Sequence, residues 1–223
     1  MSVAKKGLVW MLYQETREEV LKYAVKCLEN GLIHGTAGNV SARVPGEEAV
    51  VITPSGIPYD TLSPEDLPVV SLNAEIIDGN RKPSSETPMH TAIYRARPNV
   101  NGVVHTHSMF ATVFSILEKE IPAMMPPSSA FAPVPCAPFQ IPGSEELAES
   151  VVKTLGTDHL ACTMQGHGQI TACPTLKMAY RGAECVEEDA EIAYWTLMAG
   201  RMVGLPADAV AELRRRALKG QAV

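Results

Sequence analysis

Four short strand-forming runs crowd the stretch between residues 39 and 77, at 39–43, 49–53, 69–72 and 75–77. Pro45-Gly46, Pro54-Ser55-Gly56 and Asp78-Gly79-Asn80 punctuate them as turns. Parallel neighbours need a long crossover, so closely spaced strands joined by turns favour antiparallel pairing. Helical patterns flank this block. Val20, Leu21, Ala24, Val25 and Leu28 recur at helical spacing over 15–30, with Asn30-Gly31 as the stop. Further helices are predicted over 86–96 with Ser85 as N-cap, over 108–117 opened by Ser108, over 144–155 capped by Ser144, over 175–202, and briefly after Pro206. Strands are predicted at 101–106, 159–164 and 169–172. Together these elements predict one α/β domain over residues 1–223, with helices layered on a largely antiparallel or mixed sheet. No internal repeat, dinucleotide glycine motif or Walker loop interrupts it.

Composition narrows the function. The 223 residues are 46% apolar and 20% charged, which excludes extended disorder and suits a buried core. The formal charge of −6 argues against a nucleic acid or an anionic membrane surface as partner. No apolar stretch has the length of a membrane span, and the apolar run 7–13 lacks a cleavage site and does not read as a signal peptide. Cys27, Cys136, Cys162, Cys173 and Cys185 are odd in number, dispersed and free of any C-x-x-C spacing. That predicts reduced thiols in a cytoplasmic protein, and leaves histidines and carboxylates to hold any metal.

Six histidines are present. His105-Thr106-His107 ends the strand-forming run Gly102-Val103-Val104, and residues two apart on a strand share a face. His167 lies between Gly166 and Gly168 at a strand-to-strand connection, where glycines let the backbone carry a ring into a crowded site. Three imidazoles leave a fourth position for a carboxylate, water or substrate, as an open catalytic zinc site requires. His34, His90 and His159 have no comparable pattern and read as structural or surface residues.

Three segments have the small, hydroxyl-rich chemistry of an anion cradle: Thr36-Ala37-Gly38-Asn39, Thr53-Pro54-Ser55-Gly56 and Pro83-Ser84-Ser85-Glu86. The third precedes a predicted helix, whose free N–H groups favour a phosphate. Glu86, at that helix start, reads either as a dipole-complementing carboxylate or as one that reaches a metal and carries protons.

Gly35-Thr36-Ala37-Gly38-Asn39-Val40-Ser41, Ile52-Thr53-Pro54-Ser55-Gly56, Pro83-Ser84-Ser85-Glu86, Val104-His105-Thr106-His107 and Gly166-His167-Gly168 together resemble the class II aldolase/adducin family. The likeness spans residues 8–200 in family order. It implies a three-layer α/β/α fold on a mostly antiparallel, nine-stranded sheet. It also implies a homotetramer with active sites between subunits. By motif it implies His105, His107 and His167 as zinc ligands, with Glu86 as the catalytic acid/base that also ligates the metal. Manganese, iron or cobalt would suit the same imidazoles. Gly38, Asn39, Ser55, Gly56, Ser84 and Ser85 match the family's phosphate and substrate contacts. Related epimerases carry Asp where this chain has Glu86, which favours a lyase.

The implied reaction is retro-aldol cleavage of a phosphorylated ketose to dihydroxyacetone phosphate and an aldehyde. The dication stabilises an enediolate, Glu86 carries the proton, and displacement and burial are expected to raise its carboxyl. The family's aldolases carry a tyrosine after an Ile-Pro-Ala segment and another in the C-terminal tail. Here Ile121-Pro122-Ala123 is followed by Met124-Met125-Pro126-Pro127, and no tyrosine follows Tyr194. Segment 122–142, with seven of the 17 prolines, falls on this aldehyde side. β-Keto acid decarboxylation or sugar-phosphate dehydration needs the same enolate chemistry without those tyrosines. An adducin-like scaffold needs no metal ligands, whereas all three histidines are retained.

Overall fold

A computed structural model of the chain describes residues 11–219, so most of the run 7–13 lies outside the described residues. Eight strands form one sheet: β1 (Gly38–Arg43), β2 (Ala49–Ile52), β3 (Val69–Ser71), β4 (Ile76–Asp78), β5 (Gly102–Thr106), β6 (Cys136–Ala137), β7 (Ala161–Met164) and β8 (Gly168–Cys173). Their order is β4-β3-β2-β1-β5-β8-β7-β6. Every pairing is antiparallel except β6 with β7. The mixed, mostly antiparallel sheet is therefore as expected, but it has eight strands among the described residues rather than nine. Ile121–Val134 and Pro54–Pro83 pair only as single bridges. Strand β6, two residues long within the proline-rich segment, was not legible in the sequence.

Among the described residues six α-helices cover the two faces: α1 (Gln14–Glu29), α2 (Thr87–Ala96), α3 (Met109–Ile116), α4 (Glu145–Leu155), α5 (Leu176–Met198) and α6 (Ala207–Leu218). Alternation along the central strands feeds two cores. Val40, Val51 and Val104 pack with α1, α3 and α5. Val50, Ile52, Val103 and Ile170 pack with α2 and α4 on the opposite face. Adjacent residues of one strand thus enter opposite layers, as the two-residue period requires. This is the three-layer α/β/α arrangement.

The helix ends refine the sequence reading. Ser144 accepts from Leu147 N at 3.1 Å and Thr175 accepts from Met178 N at 3.2 Å, as N-caps should. Helix α2 takes Glu86 rather than Ser85 as its N-cap residue, because Thr87 N and Thr87 Oγ1 both donate back to Ser84 O and tighten the chain one residue later. Ser108 opens α3 without a capping bond from its hydroxyl. Its role passes to Glu187 of α5, whose carboxylate accepts from Phe110 N at 2.8 Å and Ala111 N at 2.9 Å. Among the described residues no helix is long and apolar enough to cross a membrane. All five cysteines are free thiols.

Candidate active site

One end of the sheet gathers the predicted residues. In the β1–β5 ladder Asn39 lies opposite His105 and Gly38 opposite Thr106. Gly38 is needed there: its φ is +134°, and a Cβ would stand 2.7 Å from the His105 carbonyl oxygen. His105 is on β5 and His107 just beyond its end. His167 sits in the β7–β8 turn, with its N–H donating to Met164 O at 2.9 Å. Gly168 allows the close approach, since a Cβ would meet the Thr106 carbonyl oxygen at 2.4 Å. The three rings pack edge to face, with centroids 4.8, 4.8 and 4.9 Å apart.

The facing atoms are the Nε2 nitrogens. His107 Nε2 lies 3.0 Å from His105 Nε2, which lies 3.0 Å from Glu86 Oε2. His167 Nε2 lies 3.4 Å from Glu86 Oε1. One ligand atom from each histidine falls within 4.8 Å of the others, the spread expected of donors around one ion. The tautomer of His105 follows from its other nitrogen: Nδ1 can only donate to the Gln169 carbonyl, 2.8 Å away. An Nε2 without a proton would set its lone pair against a carboxylate oxygen, also an acceptor. Two acceptors at that distance repel unless a proton or a cation lies between them. The donor set therefore fits a divalent metal, and the Gln169 carbonyl is the partner that orients such a ligand.

Burial first, and then His105, push the His107 and His167 imidazoles down to about 4, so both are neutral with lone pairs free near neutral pH. Burial alone would raise the Glu86 carboxyl. His105, then His167 and the Asn39 amide, outweigh burial and hold it well below the usual carboxylate range. Glu86 Oε2 accepts from Asn39 Nδ2 at 3.0 Å, whereas Oε1 is buried with no hydrogen-bond partner.

The three hydroxyl-rich segments converge on a cleft of about 260 Å³. Gly38, Asn39, Ser55, Gly56, Ser84 and Ser85 line it, together with Glu86, His107 and His167, while His105 lies behind them fully buried. A backbone clasp brings two of the segments side by side: Ser55 N donates to Lys82 O at 2.9 Å and Ser84 N to Thr53 O at 3.1 Å. Pro142, from the proline-rich segment, closes one wall. A roomier recess of about 600 Å³, between Tyr13, Glu18, Pro45 and Glu47, holds no histidine, so size does not mark the chemistry. His34 is exposed and His159 half-buried, as predicted. His90 is structural as predicted but closer to the chemistry than its pattern suggested, one residue removed from Glu86 through Asn39. Its i+4 spacing from Glu86 on α2 was the available signal.

The chain is similar to known proteins. The profile of the class II aldolase and adducin N-terminal domain matches residues 18–194. The chain is 38% identical over 207 residues to a 5-deoxy-D-ribulose 1-phosphate aldolase of Bacillus thuringiensis, covering 92% of this chain and 97% of that one. It is 39% identical over 176 residues to the L-fuculose phosphate aldolase of Escherichia coli K12, covering 77% and 80%. A solved L-fuculose 1-phosphate aldolase superposes with a TM-score of 0.87 at 29% identity, covering 92% and 96%. The chain therefore belongs to the class II aldolase and adducin family, and within it is an aldolase-type lyase.

Proposed function

We propose that the chain is a metal-dependent lyase that cleaves a ketose 1-phosphate to dihydroxyacetone phosphate and a short aldehyde. The observation that carries this reading is the meeting of three imidazole Nε2 atoms and one carboxylate on the wall of a cleft lined by three phosphate-suited segments. His105, His107 and His167 would hold the ion, with Glu86 as a further ligand before substrate arrives. Zinc suits these donors, and manganese, iron or cobalt are the alternatives. When bound, such an ion supplies Lewis-acid stabilisation of negative charge on the substrate's oxygens.

The chain's own groups do the rest. Ser55, Ser84 and Ser85 offer hydroxyls to the phosphate, and Gly38 and Gly56 let the backbone approach it. Asn39 gives one amide hydrogen to Glu86 and keeps its second for substrate. Fixing the phosphate sets the reacting carbon against Glu86. As the carbon–carbon bond opens, the hydroxyl of the departing carbon gives its proton to the ionised Glu86 and becomes the aldehyde carbonyl. The bond's electron pair stays with the phosphate-bearing fragment, and Glu86 delivers a proton to that carbon. Oε1 is the oxygen suited to the transfer, because Oε2 is engaged by Asn39. In the condensation direction the same oxygen removes the proton.

The B. thuringiensis relative favours a 5-deoxy ketose 1-phosphate as the substrate, with acetaldehyde as the second product. A cytoplasmic homotetramer with sites near subunit contacts is part of the proposal. Free thiols and the exposed Phe139 and Ile141, beside the cleft-lining Pro142, support it. One observation favours a second reading, decarboxylation of a β-keto acid or dehydration of a sugar phosphate. It is the run Met124-Met125-Pro126-Pro127, where the family's aldolases carry a tyrosine. The test is a panel of 5-deoxyribulose 1-phosphate, fuculose 1-phosphate and β-keto acids offered to metal-replete protein. Aldehyde together with dihydroxyacetone phosphate, abolished by chelation, is expected. Carbon dioxide or a dehydrated ketone without aldehyde overturns the lyase reading.

A further inference from the structure

Behind Glu86 runs a line of buried side chains that the reaction above does not use. Asn39 Nδ2 is 3.0 Å from Glu86 Oε2, and Asn39 Oδ1 is 2.5 Å from His90 Nε2. His90 Nδ1 is 2.6 Å from Ser41 Oγ, and Ser41 Oγ is 2.9 Å from Tyr94 Oη. Each of these residues is buried, and His90 and Ser41 are wholly so.

Chemistry fixes the direction of every link. An ionised carboxylate only accepts, so the amide must turn its NH2 toward Glu86 and its oxygen toward His90. His90 must then donate from Nε2 and accept at Nδ1. The Ser41 hydroxyl donates to Nδ1, and the Tyr94 hydroxyl donates to Ser41, whose Oγ and carbonyl oxygen lie 2.9 and 3.0 Å away. The chain of donors runs one way, from Tyr94 to the carboxylate, and each bond polarises the next. An amide with its two ends exchanged would set oxygen against carboxylate and NH2 against the His90 donor. Both contacts would be lost between buried side chains.

We propose that His90 is a positioning residue: its Nε2–H locks the Asn39 amide in the one orientation that presents N–H to Glu86 Oε2 and so leaves Oε1 as the reactive oxygen. Its effect on turnover rests on the lyase reading, whereas the hydrogen-bond direction does not. A proton cannot pass through the amide, so the line holds Glu86 and does not feed it.

Two measurements on the full-length protein test this. Nitrogen-15 NMR of the imidazoles at neutral pH, with the His90 signal assigned by its loss in His90→Gln, is expected to show a neutral ring protonated at Nε2. A ring protonated at Nδ1 overturns the proposal whatever the enzyme acts on. Kinetically, His90→Leu is expected to lower kcat about 10- to 100-fold with KM and bound metal unchanged. His90→Gln, which keeps a donor, is expected to restore most of the loss. Equal loss in both variants, or a change in KM or metal content alone, overturns it. If His90→Leu fails to fold, His90→Gln and the wild-type tautomer still decide. A chain that cleaves no ketose phosphate defeats the lyase reading and leaves the tautomer as the test of this one.

Discussion

In the proposed reaction Glu86 and the three imidazoles divide two tasks between them, and substitution separates the tasks. Glu86→Gln keeps the side chain's shape and its contact with Asn39 but cannot carry the proton. Turnover is expected to fall by about 10² or more while metal analysis still finds the ion, held by His105, His107 and His167. His107→Ala removes one of three convergent nitrogens and is expected to lose the metal itself. Gly38→Ala is a backbone test. Its φ of +134° and the 2.7 Å approach to the His105 carbonyl oxygen leave no room for a methyl group. A loss of about 1–3 kcal/mol in denaturant unfolding is expected, with metal affinity falling too because β1 must shift from β5. At this scale the sequence was legible where chemistry follows local period. His105 and His107 share a face by strand geometry alone, and the glycines around His167 announced a close approach. The Gln169 carbonyl that fixes the His105 tautomer carries no residue signature, since any residue at that register supplies a carbonyl. His90 was missed as a partner because its link to Glu86 passes through Asn39 on another element.

Elements were predicted to within a few residues where hydrophobic period and caps agree, as in α1, α4 and β5. The two-residue strand β6 has too few positions to show a period. Ser108 precedes α3 as expected, but the helix's orphan N–H groups are met by Glu187, 76 residues away in sequence from Ala111. Glu187→Ala is expected to cost about 1–2 kcal/mol, against almost nothing for Ser108→Ala if capping alone were at stake. However, the Ser108 hydroxyl accepts from Gln169 Nε2 at 2.8 Å, so its loss is felt in the core instead. Two residues further along α5, Asp189 is buried with neither oxygen forming a full hydrogen bond. Burial pushes its carboxyl up to about 6, although the Ser128 hydroxyl and the Met124 and Met125 N–H groups lie near enough to moderate the rise. An acid whose folded value lies above its unfolded value near 3.8 costs stability once it is ionised in both states. Stability is therefore expected to fall as pH rises from about 4 through about 6 and to level off above, by on the order of 3 kcal/mol at most. Asp189→Asn should flatten that slope in thermal unfolding followed across the same range.

For the whole molecule, the layered fold explains why so few residues specify the site. Two layers meet there: in the sheet, β1 and β5 hold Asn39 and His105 and the β7–β8 turn carries His167, and from the helical layer α2 presents its N-cap residue, Glu86. What the sheet does not explain is the apolar surface left outside both cores. Phe139 and Ile141, just before α4, are 52% and 65% exposed, and Trp195 and Met198 on α5 are 58% and 65% exposed. Residues this large are costly to leave in water when they cluster, and clustered exposure marks a surface that meets another chain. A closed ring of identical chains needs two different patches meeting head to tail, and the chain offers one beside α4 and one on α5. Ile141→Asp is the discriminating substitution. On a free surface it changes stability by no more than about 0.5 kcal/mol and leaves the mass alone. On a covered patch it buries an unpaired charge, so light scattering is expected to show the proposed four-chain assembly shifting toward single chains. Activity should fall with it, because Ile141 adjoins Pro142 in the cleft wall. The fall should be recovered by raising protein concentration, since dissociation obeys mass action whereas damage to the cleft does not.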